Sequence, residues 1–440
     1  MSGKNRTLGE LKNPNMAHAQ QSPAQYRMSI TIIGILFFIF GFVTWVNGTL
    51  IPYLKIACEL KTELESFLVV TAFLIAYTVM AIPSSIVLDK IGYKKGMSVG
   101  LFIMAIGAAL FIPAAQTRNF DLFLTGLFII GTGLALLQTA SNPYVSVIGP
   151  MESAASRISI MGVCNKGAGI IAGLIFGAIA LSNMGEYEPE VLAALDEATR
   201  ASKLDALAAR VITPYMIITA VLVLLGIATL FSPLPEISDS GDEAANSENS
   251  GKTSIFQFPH VFLGMLAIFC YVGVEVMAGD TIISYGKSLD IDLSVARYFT
   301  SATLTCMVVG YLVGIFAIPK FFSQQTALRA CSIIGLVFTA GVVFLPGYYS
   351  VASLALLGIA NSLMWPAIFP LGIDGLGKFT KTGSALLIMG IAGGAILPLV
   401  YGKFAEYVGS QSGYWLMLPC YLYILYFAIS GHKVGRKSIA

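Results

Sequence analysis

Along this chain apolar residues come in long unbroken runs rather than in alternation. They fall at about 28–54, 66–88, 97–115, 121–149, 157–182 and 212–232, then, past a polar gap, at 259–288, 294–318, 324–345, 350–372, 381–402 and 413–431. A helix needs about 20 apolar residues to cross a hydrocarbon core, so each run predicts one span. The gap, with Ser238-Asp239-Ser240-Gly241-Asp242-Glu243 and the stretch from Asn246 to Gly251, has the composition of a linker. The pattern predicts an all-α membrane protein of twelve transmembrane helices in two six-helix bundles. Its parts are a tail at 1–27, bundles at 28–232 and 259–431 joined by a linker at 233–258, and a second tail at 432–440.

Composition narrows the classes. Only 11% of the 440 residues are charged and 56% are hydrophobic, against roughly 25% charged in a soluble domain. That excludes a soluble enzyme, because too little charge is available to solvate its surface. The net charge of +2 gives no footprint for nucleic acid. Six cysteines lie scattered through the apolar stretches without metal spacing, which reads as packing. The first residues are polar and carry no signal-peptide pattern. With both termini inside, roughly 16 Lys and Arg fall on the cytoplasmic side and 9 outside, the bias expected of an inserted protein. These features predict a multi-pass protein of the plasma, or bacterial inner, membrane with both termini cytoplasmic.

The two sets of runs resemble each other. Placing Pro143 on Pro366 sets Gly149 on Gly372, and a small shift matches Ile160-Met161-Gly162 with Ile388-Met389-Gly390. Span one, Gly41 to Thr49, lies over span seven, Gly273 to Thr281, at constant offset. Between spans two and three stands Asp89-Lys90-Ile91-Gly92-Tyr93-Lys94-Lys95-Gly96. This segment resembles the cytoplasmic gating-loop signature of the major facilitator superfamily, with Ser85 where its leading Gly is usual. Span four reads Gly133 to Val145, including Gln138, Asn142 and Pro143, and ends in Ile148-Gly149-Pro150. With Asn47 and Leu50-Ile51-Pro52 in span one and Cys270-Tyr271-Val272-Gly273 in span seven, it is similar to the fucose/galactose/glucose cation symporter family of that superfamily. The resemblance implies a sugar site at mid-membrane between the halves and uptake driven by protons or sodium. In the fucose branch a motif of span one ends in Asp where this chain has Gly48, and span four has Glu where it has Gln138. Fucose is disfavoured on that ground.

Charges inside spans cost about 2.5 to 3.5 kcal/mol each on insertion scales, so those retained should face a cavity and find a partner. Glu275 and Asp280 in span seven are candidates for cation coupling, with sodium a possible ligand of both, and Asp280 falls opposite Gly48 in the repeat. Gly279 is expected to let the helix unwind beside Asp280. Lys166 either binds sugar or pairs with Glu275, and it follows Asn165, which matches an Asn that the family uses in sugar binding. Asn47, Gln138, Asn142 and Asn165 supply amides that both donate and accept, while Trp45 and Trp365 supply ring faces. Tyr215 and the C-terminal tyrosines read as an interfacial belt.

The expected function is symport of a hexose or amino sugar (glucose, galactose or N-acetylglucosamine) with sodium or protons by alternating access. The alternatives are an uncoupled uniporter and a non-transporting sugar sensor; the buried acids favour coupling. His18, His260 and His432 lie outside the span interiors, so no enzyme centre is expected. The expected partners are a monosaccharide and the lipid bilayer. Neither a cofactor nor nucleic acid is expected, and the protein is read as a monomer.

Overall fold

A computed structural model describes residues 23–60, 63–180, 184–187, 189–235, 252–291, 293–296 and 298–435. Every regular element in them is helical. Eleven stretches are long and apolar enough to cross a membrane, and one of these, Thr71–Thr117, holds two spans. The apparent loop between spans two and three is a single bend: the helix Glu63–Ala109 continues through Asp89 to Gly96, and only Gly92 leaves helical geometry, at φ 80° and ψ 174°. That left-handed φ is open to glycine at little cost and resisted by any residue with a Cβ. Span one begins at Pro23, five residues before the apolar run. Spans ten and eleven are each interrupted, at Leu363 and over Gly390–Ala392.

Pairing of the helices repeats between the halves. Span one packs on five as seven packs on eleven, two on four as eight on ten, and three on six as nine on twelve. Across the middle, span two meets eleven and span five meets eight, which are equivalent contacts under the same repeat. Large apolar side chains such as Leu174, Phe231, Phe316 and Val337 are exposed on the outside of the bundle, as suits a surface against lipid rather than water.

Four sequence expectations need correction or restriction. Tyr215 is buried and stacks on Phe111 with ring centroids 3.9 Å apart, so it is core and not an interfacial belt. Of the C-terminal tyrosines, Tyr414 and Tyr421 are likewise buried, the latter donating to Asn361 Oδ1 at 2.8 Å, whereas Tyr426 is exposed. Span seven does not unwind at Gly279: the helix Pro259–Asp280 runs unbroken through it. The freed carbonyls there are taken up by threonine hydroxyls of span eight, Thr300 on Gly279 at 2.8 Å and Thr303 on Ala278 at 3.4 Å. The tail at 1–22, linker residues 236–251 and residues 436–440 lie outside the described residues; the linker's end is a capped turn, Ile255–Gln257, with Ser254 as its N-cap.

One element had no place in the apolar pattern. Glu197–Ala209 is an amphipathic helix capped by Asp196, with Leu204, Leu207 and Ala208 buried. It is fastened to the ends of spans one and three by the Tyr53 hydroxyl on Leu207 O at 2.6 Å and by Arg118 on Asp205 at 2.7 Å. Its Leu204-x-x-Leu207-Ala208 spacing is the signal that could have found it.

Candidate functional site

A cavity of about 230 Å³ opens between the halves, lined by residues of the spans themselves. It gathers Gln138, Asn142, Asn165, Lys166, Trp45, Trp365, Glu275 and Asp280 onto one surface, from spans one, four, five, seven and ten. The Asn47 side chain lies outside what is described. Phe37, Phe40, Phe73 and Ile391 form apolar parts of the same wall.

The charged residues occupy two distinct situations. Lys166 Nζ lies 2.5 Å from Glu275 Oε1, and both side chains are nearly enclosed, at 10% and 12% exposure. The ammonium also sits over the Trp45 ring, 4.4 Å from its centroid, an arrangement that stabilises a desolvated cation. Span five admits the indole because residue 169 is glycine: a Cβ there would stand 2.5 Å from Trp45 Cδ1. Asp280 ends its helix with its side chain exposed to the cavity. Five residues from Glu275, it is turned by about 140° and stands about 7.5 Å further along the axis, so the two acids reach one cavity at different depths without any unwinding.

The neutral groups form a thread. Gln138 donates to the Tyr77 hydroxyl at 3.1 Å, Asn142 donates to the Gln138 carbonyl at 2.9 Å, and Trp365 Nε1 donates to Asn142 Oδ1 at 3.2 Å. One face of Trp365 stacks on Phe369, with centroids 5.7 Å apart. Trp45 Nε1 is buried in this wall without a hydrogen-bond partner among the described residues. Such groups cost about 1 to 3 kcal/mol if left unsatisfied in a dry site, so the wall suits a ligand that offers hydroxyl or carbonyl oxygens.

Sequence reading missed Tyr77, Tyr271 and Tyr311, all of which line the cavity. Tyr271 is fully enclosed and interacts through its hydroxyl with Glu275 and Tyr311. The signal for two of the three was present in the repeat: Ala76-Tyr77-Thr78-Val79 of span two corresponds to Gly310-Tyr311-Leu312-Val313 of span eight.

The gating-loop residues divide. Asp89 reaches Lys381 of span eleven at 3.5 Å, and Lys381 also lies over the Tyr93 ring at 5.5 Å. Lys94 donates to the Ser232 carbonyl at 2.6 Å, within its own half. Lys90 and Lys95 are exposed. At the same end of the bundle, where the described chain begins at Pro23 and ends at Gly435, the Ser156 hydroxyl donates to Ile315 O at 3.0 Å and fastens span five to span eight.

Comparison with known proteins agrees with this architecture. Residues 33–397 match the sequence pattern of the Major Facilitator Superfamily. The chain is 33% identical over 427 residues to the glucose/galactose transporter of Brucella abortus biovar 1 (strain 9-941), covering 95% of this chain and 98% of that one. It is also 33% identical over 390 residues to the L-fucose-proton symporter of Escherichia coli (strain K12), covering 88% of each. Among solved structures, the crystal structure of FucP, a major facilitator transporter in the outward conformation, superimposes with a TM-score of 0.81 at 30% identity, covering 92% of this chain and 98% of that one.

Proposed function

The chain belongs to the major facilitator superfamily, in the family of the glucose/galactose transporters and L-fucose-proton symporters, and on that premise we propose that it carries a hexose or amino sugar into the cell together with a cation. The observation that carries this reading is the cavity itself: amides, an indole and a carboxylate that makes no ion pair among the described residues converge from both halves on one space. In this fold the halves rock about such a site to give alternating access.

Gln138, Asn142 and Asn165 are assigned to sugar hydroxyls, and Trp365 to the apolar face of the ring. Asn47 is assigned with them from its place in the motif. Of the two roles open to Lys166, pairing with Glu275 is the one assigned, and sugar binding is left to the amides and the indole. Glu275 and Asp280 are assigned to coupling, with either a proton or an oxygen-ligated sodium as cargo. The excess of Lys and Arg supports assigning the end where the described chain begins and ends to the cytoplasm. On that orientation the Asp89–Lys381 and Ser156–Ile315 contacts close the cytoplasmic end, the arrangement of an outward-facing state.

The test is counterflow and gradient-driven uptake in proteoliposomes with radiolabelled D-glucose, D-galactose and N-acetyl-D-glucosamine, each with and without sodium and with a pH gradient. Accumulation of at least one sugar above equilibrium, under one of the two gradients, is expected. Equilibration without accumulation would mean a uniporter, and binding without counterflow would mean a sensor.

A further inference from the structure

Two carboxylates and one ammonium meet in the cavity, and their pairing is unequal. Glu275 has Lys166 Nζ at 2.5 Å, whereas Asp280 makes no ion pair among the described residues and opens to the cavity. We propose that Lys166 is a tethered counter-cation: its ammonium fills the cation place at Glu275, leaving Asp280 as the one exchangeable carboxylate, so that a single mobile cation accompanies each sugar. The proposal rests on the symport reading above and deepens it by dividing the work of the two acids.

The surroundings hold the ammonium there. Lys166 is 8% exposed, it lies on the Trp45 face, and Gly169 keeps the space that the indole needs. The other titratable groups that Glu275 acts on are the phenols of Tyr271, Tyr311 and Tyr421 and the Asp280 carboxyl, and none of these brings positive charge. An enclosed carboxylate needs a cation close by. A lysine is a compact point charge on a flexible stem, and because it is covalently bound it cannot be released on either side of the membrane. Glu275 therefore contributes no transported charge while the lysine is present. Lys166 and Glu275 also belong to opposite halves, so the same pair ties span five to span seven across the cavity.

Removing the ammonium should expose the vacancy that it fills. In Lys166→Met, Glu275 is left without its cation and recruits a mobile one, while Lys166→Met/Glu275→Gln removes the place altogether. The measurement is the number of charges moved per sugar, read from the sugar gradient that just balances an imposed potential in proteoliposomes. The sugar is whichever of radiolabelled D-glucose, D-galactose or N-acetyl-D-glucosamine the parent protein accumulates. The parent should move about one charge per sugar, Lys166→Met about two, and the double variant about one again. Should Lys166→Met be inactive, recovery of coupled uptake in the double variant supports the proposal, and continued inactivity overturns it. A parent that moves two charges, or a Lys166→Met protein that moves one, also overturns it while leaving symport intact. Failure of the parent to accumulate any of the three sugars is a different result, and it removes the symport reading itself.

Discussion

Trp365 and Asn142 hydrogen-bond each other at 3.2 Å across the two halves, and they are repeat mates: the alignment that sets Pro143 on Pro366 also sets Asn142 on Trp365. A contact between equivalent residues of a parallel repeat lies close to the axis that relates the halves. There it changes least as the halves rock, which makes it a suitable floor for a site reached from either side.

Trp365 therefore has two separable tasks, a ring face for sugar and an N–H for Asn142. Trp365→Phe keeps a ring and loses the bond; Trp365→Ala loses both. Sugar affinity measured by counterflow should fall by about 0.5 to 1.5 kcal/mol in the Phe variant and by more in the Ala variant, where the aromatic surface is also gone. Equal losses in the two, with lowered thermal stability in detergent, would assign the indole to packing alone.

Gln138 and Asn165 are expected to contact sugar rather than cation. Ala at either position should weaken sugar binding by about 1 to 3 kcal/mol, as when one partner of a hydrogen bond is removed in a dry site. Cation binding without sugar should persist. Gln138 also holds the Tyr77 hydroxyl at 3.1 Å, so Tyr77→Phe should reproduce part of its loss. Sugar titrations of the purified variants by calorimetry check this, and unaltered affinity in both alanine variants would remove these amides from the site.

The bundle was legible in the sequence because lipid demands long apolar runs, and each run shows in composition alone. Gly92 stood in the gating-loop segment between two apolar runs, but nothing in the residues around it says that helix resumes on either side within one residue. The polar cavity residues were legible for the complementary reason: Lys166, Glu275 and Gln138 are costly in hydrocarbon and so must face inward. Tyrosine carries no such penalty signal, since it suits core, interface and cavity alike. Hence Tyr311 was overlooked and Tyr215 was assigned to the wrong environment. The partnering of Lys166 with Glu275 rather than Asp280 depends on rotation about span seven and on how far span five advances beside it, and residue spacing fixes neither.

The Asp89–Lys381 contact should act as a modest latch. Asp89 is half-exposed while the Lys381 side chain is 9% exposed, so the pair gains less than an enclosed one, about 0 to 1 kcal/mol. Asp89→Asn should shift the population away from the closed end by no more than about fivefold. Maleimide labelling of Ser159→Cys, at a position buried beside Gly314 of span eight, in a background lacking the native cysteines, should accelerate accordingly. The swap Asp89→Lys/Lys381→Asp should return part of the protection, and an unchanged labelling rate in both would show that the latch lies elsewhere.

Asp280 is the residue on which coupling is expected to turn. A symporter must make the sugar-bound transition depend on the ion, which requires a group whose occupancy changes the relative stability of the outward and inward states. Asp280 meets that need because it stands at the end of span seven with no ion pair among the described residues, open to the cavity, next to a helix break at Thr281 whose hydroxyl is held between Met277 O and the Tyr414 hydroxyl, each at 2.6 Å. Asparagine there is neutral, like the ion-loaded acid, and cannot exchange an ion. Asp280→Asn should therefore bind sugar and support counterflow, yet fail to accumulate it under any gradient. Glu275→Gln should behave differently, because it strands the Lys166 ammonium in an enclosed site: loss of sugar affinity and of stability should accompany any loss of coupling. The ion is then identified in the parent protein. Sodium coupling predicts that sugar affinity rises with sodium at constant pH, and proton coupling predicts that it responds to pH with sodium absent. Full concentrative uptake by Asp280→Asn would exclude this carboxylate from coupling and direct attention to Glu275 and its lysine.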